Sequence, residues 1–217
     1  MSGLQDSILY IDDDLLVLNK PGGIAVHRGK GTTDDLESHF PELGLEPLPR
    51  LAHRLDMDTS GCLVLGRSDE AMTLLGRAFA RSKVAKTYWA IVHGAPLGTE
   101  GVLSQPLRKL AGPEGGRMRA VADGPAAITH WRLLQSLEGG LSWLELKPET
   151  GRTHQLRAHC AHLGCPILGD RLYGPPGDRP PLFLHARHIE LWIRKEPLDV
   201  EAPLPGYWYS SLRLIGL

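Results

Sequence analysis

The sequence predicts an α+β protein: a largely antiparallel mixed sheet flanked by helices and loops. Three observations predict it. Short apolar runs of strand length recur along the whole chain, as in ILYI, LLVLNK, THWRLL and LSWLELK. Helical spacing beyond two turns is confined to residues 69–82 and 153–163. The 25 glycines and 17 prolines punctuate these runs closely, so most connections are short, as between antiparallel neighbours.

Taken in order, residues 7–21 read as two short strands about the acidic turn Asp12-Asp13-Asp14, broken by Pro21-Gly22-Gly23. Thr33 is placed to cap a short helix, DDLESHF, that Pro41 ends, and residues 44–50 read as irregular. Residues 53–61, HRLDMDTSG, form a loop ahead of the buried strand CLVLGRS. Ser68 suits the N-cap of a helix over 69–82, in which Met72, Leu75 and Phe79 share a face. KTYWAIVHG is a strand, and residues 111–120 form an exposed, glycine-rich basic loop. AITHWRLLQSL and LSWLELKPE make a hairpin turned by Glu138-Gly139-Gly140. Residues 153–163 form a helix stopped by Gly164, with Leu156, Cys160 and Leu163 on its apolar stripe and His154, Arg157 and Ala161 on another face. HARHIELWI and PLDVEAPLP are the last strands.

The 217 residues suffice for one domain with a core of its own. No run approaches the ~18 apolar residues of a membrane span. The opening residues lack the basic and apolar regions of a secretory leader. Three sparse cysteines, Cys62, Cys160 and Cys165, fit reduced thiols, so a cytoplasmic location is expected. The net charge of −1 conceals an uneven distribution. Residues 1–49 carry 3 basic and 9 acidic side chains, whereas residues 50–120 carry 11 and 6. A basic middle attracts a polyanion through its local field, whatever the total charge.

Several constellations are excluded by spacing. His159, Cys160, His162 and Cys165 lack any zinc-binding pattern. GRGKGTT shares a phosphate loop's composition but not its spacing. GxSxG is absent, and Ser60 has no base near it in sequence. Asp56 beside Arg54 reads, on local grounds alone, as a turn former or cap.

Read jointly, four segments resemble the pseudouridine synthases of the RluA type. They are LLVLNKPGGIAVH (15–27), HRLDMDTSGCLVLGRS (53–68), KTYWAIVHG (86–94) and LELKPETGRTHQLRAHCAHLGCPILGD (144–170). The second and fourth are long and specific. His53 and the TSG triplet favour the RluA type over the related RsuA type. The resemblance implies a pseudouridine synthase catalytic fold with a central active-site cleft. It also implies a single catalytic domain over 1–217, without the S4 RNA-binding domain that many members carry.

It further implies roles. Asp56 matches the nucleophile. Tyr88 matches the tyrosine that stacks on the target base and serves as a base at C5. Arg157 matches the cation paired with the catalytic aspartate. Leu156 matches the aliphatic residue beside it, and Arg54 the arginine that fills the space of a flipped nucleotide. His53, Arg152 and His154 join these as substrate-binding residues. The implied partner is RNA (tRNA, 23S ribosomal RNA or both), and a monomer is expected.

The chemistry fits these residue types. Uridine isomerisation breaks the C1′–N1 bond and forms a C1′–C5 bond without a redox step, so no cofactor and no metal are expected. A carboxylate either attacks C1′ or assists departure of the base on a glycal route. A carboxylate withdrawn from water tends to take up a proton, and a guanidinium beside it opposes that. The base must leave its stack, and stacking on an aromatic ring returns about 1–3 kcal/mol. Arg50, Lys83, Lys86, Arg108, Arg117 and Arg119 are the candidate phosphate contacts. The competing reading is a catalytically inactive RNA-binding homologue.

Overall fold

The computed structural model describes residues 3–29, 34–81, 83–111, 116–177 and 181–209. The chain divides into two compact units, Met1–Lys86 with His185–Pro205, and Thr87–Leu184 with Gly206–Leu217. Among the described residues no helix is long and apolar enough to cross a membrane.

The first unit is built on β1 (Ile8–Ile11), β2 (Leu15–Lys20), β3 (Arg50–Leu51) and β4 (Ser60–Gly66). β2 lies antiparallel between β1 and β4, with Val17 opposite Val64, and β3 adds antiparallel to β4. Two late strands return to it, β11 (Leu184–Leu191) and β12 (Leu198–Glu201). β11 joins β4 in parallel, with His185 opposite Ser60, and β12 runs antiparallel to β11. The mixed character of the sheet therefore comes from a strand more than a hundred residues away from its partner. Leu15–Leu18 and Leu63–Leu65 are buried on both faces, which is why these runs are apolar without alternation. Helix α1 (Asp69–Ala80) lays Leu75 and Ala78 on Val17, Cys62 and Val64. Ser68 caps α1 as predicted, its side chain accepting from Ala71 N at 3.0 Å.

A 3-10 helix, Leu36–Leu43, replaces the short helix expected before Pro41 and continues past that proline. Its cap is Asp35, which accepts from Ser38 N at 3.1 Å. Thr33, the residue expected there, lies outside the described residues. The segment expected to be irregular ends in β3.

Gly61 explains the glycine of the TSG triplet. Its φ is +107°, and a Cβ there would overlap the Ala186 carbonyl of β11. We expect Gly61→Ala to destabilise the protein by about 2–4 kcal/mol through strain and lost β4–β11 pairing. A urea midpoint unchanged from wild type would contradict this.

One buried pair bears on the serine question. Ser60 Oγ donates to His185 Nδ1 at 2.9 Å, and His185 Nε2 donates to the Ala202 carbonyl at 3.3 Å. The fold thus supplies Ser60 with the imidazole that the local sequence lacks. Both residues are buried, so the pair staples β4 to β11 and the segment after β12. Burial pushes His185 down to about 4. Between that value and the ~6.5 of an unfolded histidine, the unfolded chain binds more protons. This stability is therefore present above pH 6.5 and is lost as pH falls towards 4. We expect His185 to account for about 2 kcal/mol of a stability loss between pH 7 and 5. Urea unfolding of His185→Gln should show a correspondingly smaller drop, and an equal drop would refute the assignment.

The second unit carries an antiparallel set, β5 (Val84–His93), β10 (Leu141–Pro148), β9 (Thr129–Leu137) and β6 (Glu100–Leu103), in that spatial order. β5 begins at the end of the first unit. The hairpin of β9 and β10 turns through Glu138–Gly140 as expected. Trp89 and Trp143 meet edge-on at 4.9 Å, and Trp208 packs on Trp143 and Phe183. Tyr88 therefore projects to the other face.

A separate ribbon, β7 (Leu107–Leu110) with β8 (Arg117–Ala120), stands where a basic loop was expected. Its tip, residues 112–115, lies outside the described residues. Helix α2 (Gln155–His162) is shorter than predicted and ends at Leu163, with Gly164 left-handed at φ +80°. It is not amphipathic: Gln155 to Cys160 are all buried. Gln155 joins it to β9 through the Ile128 carbonyl and Thr129 Oγ1, and His159 bridges Thr129 and the Gln105 carbonyl.

The three cysteines are free and buried, and burial pushes the Cys62 thiol up to about 12. Among the described residues no three His, Cys, Asp or Glu side chains are grouped to hold a metal.

Candidate active site

The loop from β3 to β4 carries Arg54 and Asp56 and is fastened by its backbone. Thr59 N donates to the Asp56 carbonyl at 3.1 Å, closing a tight turn. The Met57 carbonyl accepts from Gly23 N and from Lys20 Nζ, each at 2.9 Å. Gly22 lies so close that a Cβ there would stand 3.0 Å from the Asp58 carbonyl. The Pro-Gly-Gly turn is thus the floor of the Asp56 loop. Leu55 is buried, Arg54 is exposed, and Asp56 lies half-buried between water and the loop.

Lys20 is the residue that sequence reasoning missed here. It is fully buried at the end of β2. Its ammonium also donates to the Pro21 and Ile24 carbonyls, each at 2.7 Å, so all three of its donors meet carbonyls. Desolvation pushes it down to about 8, against the attraction of the nearby Asp58 and Asp56 carboxylates. A cation is therefore seated beneath two acids. A lysine closing an otherwise apolar strand was the available signal.

His53 has a task in the fold. Ala52 N donates to the Val64 carbonyl at 3.1 Å, and Val64 N donates to His53 Nε2 at 3.0 Å. The imidazole thus replaces a backbone acceptor and extends the β3–β4 ladder by one rung. The ring packs on Phe79, with centroids 4.8 Å apart. Burial, and then the Lys86 charge, push His53 down to about 4, which keeps it neutral and accepting. Burial also lowers Lys86, which is half-buried, so it is the least suited of the candidate phosphate contacts. Arg50 is held by Asp69 at 2.7 Å, while Lys83 is exposed.

The second unit holds the other predicted residues. Tyr88 lies on β5 opposite Leu146 of β10 and is half-buried. Leu156 and Arg157 are buried on α2. Arg152 is exposed, its Nε donating to the Ala126 carbonyl at 3.1 Å. His154 is not inside the helix but caps it, left-handed at φ +49°, a conformation few non-glycine residues take.

Arg157 has a partner that sequence reasoning missed. Its Nε and Nη2 donate to Asp170 Oδ2 and Oδ1, each at 2.7 Å. Asp170 is 0% exposed and Arg157 5%. Asp170 Oδ1 also accepts from Leu172 N at 2.9 Å and Tyr173 N at 3.0 Å. The guanidinium fork is therefore set by one rigid carboxylate, and Nη1 lies outside that fork. The only sequence signal was an acid closing the fourth motif, thirteen residues after Arg157.

A family described as RNA pseudouridylate synthase matches residues 14–162. An uncharacterized RNA pseudouridine synthase of Zymomonas mobilis is 41% identical over 93% of this chain and 95% of its own length. A ribosomal large subunit pseudouridine synthase C of Rickettsia typhi is 37% identical over 96% of this chain and 71% of its own. The solved structure of human RNA pseudouridylate synthase domain containing 4 superposes with a TM-score of 0.82 at 29% identity, covering 99% of this chain and 95% of that one. The motifs, the fold and the relatives converge, and the chain belongs to the RNA pseudouridylate synthase family, the isomerases that convert uridine in RNA to pseudouridine.

Proposed function

We propose that the chain isomerises uridine in structured RNA, tRNA or 23S ribosomal RNA or both, with Asp56 as the nucleophile. One observation carries this assignment. The Asp56 loop is fixed through its backbone by Thr59, Gly23 and a buried lysine, which presents Asp56, half-buried, from a defined turn above a cation.

In this reading the uridine leaves its stack and Arg54, exposed on the same loop, occupies the space. Tyr88 offers its ring to the base. Asp56 acts at the sugar while the C1′–N1 bond breaks. The uracil turns, C5 bonds to C1′, and the proton of C5 departs, with Tyr88 as its acceptor. A proton returns to N1, so the atom inventory is unchanged. Asp170 holds Arg157 as a fixed cation, the role of charge partner to the catalytic carboxylate being the one that the family's motif gives this position. In this reading the chain is a single-domain enzyme, a monomer of the cytoplasm.

The β7–β8 ribbon supports an RNA partner. Alternation places Leu107, Met118 and Ala120 inward, where they pack with Ala158 and Tyr173. Arg108 and Arg119 are directly opposite each other on the outer face, and Arg117 shares that face. Like charges so paired destabilise a ribbon unless anions meet them. Asp123 meets Arg108 at 2.9 Å, and RNA phosphates are fitting partners for the exposed Arg119.

The test is release of tritium from RNA labelled at C5 of uridine, with pseudouridine mapped afterwards in ribosomal RNA and tRNA. Release locates the activity. Binding of the same RNA without release would establish the inactive RNA-binding reading instead.

A further inference from the structure

We propose that Tyr173 is a positioning residue that couples the basic ribbon to Arg157. The proposal rests on the functional reading above and adds to it the route by which RNA held on the ribbon bears on the catalytic cation.

Three contacts meet at this one side chain. Its hydroxyl accepts from Met118 N of β8 at 2.9 Å, a bond from the ribbon's backbone to a residue 55 positions away. The same hydroxyl lies 3.2 Å from His154 Nδ1, at the strained cap of α2. The hydroxyl and the His154 ring thus share one hydrogen bond, whose direction follows the imidazole tautomer. The ring face lies under Arg157, whose guanidinium carbon is 5.4 Å from the ring centroid. Asp170, which grips Arg157, also accepts from Tyr173 N. The ribbon, the cap of α2 and the Arg157–Asp170 fork therefore share one rigid node.

The geometry assigns the two ends of the side chain different tasks. The hydroxyl anchors the ribbon whose outer face carries Arg108, Arg117 and Arg119. The ring supports Arg157. Removing the hydroxyl alone should chiefly weaken RNA binding, and removing the ring as well should slow turnover further.

Tyr173→Phe keeps the ring. It is expected to raise the Kd for a fluorescein-labelled RNA stem–loop with uridine in its loop by about 5- to 10-fold, the scale of one hydrogen bond. The dependence of log Kd on log salt should flatten by about 0.7, one phosphate contact. Its kcat on tritiated ribosomal RNA should fall by about two- to three-fold, because the ring stays under Arg157 while its tie to the ribbon is lost. Tyr173→Leu should lower kcat a further ~3- to 10-fold. The deciding comparison is a cycle with Arg108→Gln/Arg119→Gln. If Tyr173 acts through the ribbon, Tyr173→Phe should change Kd by less than about two-fold in that background.

An equal Kd change in both backgrounds, or no change in Kd and salt slope, overturns the proposal. A role confined to folding would lower the urea midpoint and leave the cycle additive. A second measurement needs no variant: hydrogen exchange at the Met118 amide of the wild type should slow when RNA binds, and indifference to RNA counts equally against the latch. Failure of the functional reading has another signature. The wild type would then release no tritium, while the binding cycle still reports on Tyr173.

Discussion

Asp56→Asn is expected to release no tritium from labelled RNA and to form no pseudouridine. The loss should be on the order of 10⁴- to 10⁶-fold, the scale on which a nucleophile's removal is felt. The protein should fold, because the backbone bonds to the Asp56 and Met57 carbonyls and the bond to the His53 ring remain in the variant. An amide conserves the shape of the side chain and removes its charge, so the thermal midpoint should stay within ~2 °C. RNA binding should persist within a few-fold. Retained turnover would sink the assignment of Asp56 as nucleophile. A variant that no longer folds would show instead that the loop depends on the carboxylate for its shape.

Arg157→Ala is expected to have two effects at once. Its removal leaves Asp170 buried with two backbone donors and no cation. Breaking a buried pair in this way costs about 3–5 kcal/mol, so the midpoint should fall by roughly 10 °C. Turnover should fall by at least ~100-fold, while RNA binding changes little. Two further variants separate stability from catalysis. Arg157→Lys keeps a cation but cannot form the fork, and it should recover part of the turnover with the midpoint still low. Asp170→Asn keeps the hydrogen-bond shape and weakens the hold on the guanidinium, so turnover should fall more than RNA affinity. If instead binding collapsed while bound RNA was still converted, Arg157 would be a substrate contact and not the partner of the catalytic carboxylate.

Much of the molecule was legible in order. The β9–β10 hairpin, the Ser68 cap and the Gly164 stop are local features, read from a handful of consecutive residues. β3, β6, β7 and β8 were missed: each has four residues or fewer and lies in a stretch rich in glycine, proline or charge, whereas the equally short β1 is wholly apolar. α2 misled in another way. Its apolar stripe suggested one exposed face, yet its polar residues are buried because β9 and the segment after α2 supply their partners. Asp56 could be singled out only through resemblance, since its neighbours read equally well as a turn.

The sequence by itself determined the family, the order of most strands, both α-helices and the identity of Asp56, Tyr88 and Arg157 as the residues to test. These depend on local pattern and on motifs that lie along the chain. Tertiary structure alone decided that His53 continues a strand ladder, that Lys20 sits beneath the Asp56 loop, and that Asp170 and Tyr173 hold Arg157. The reason is physical. A buried polar group must find its partner, and the partner's distance along the chain leaves no trace in the residues beside either one.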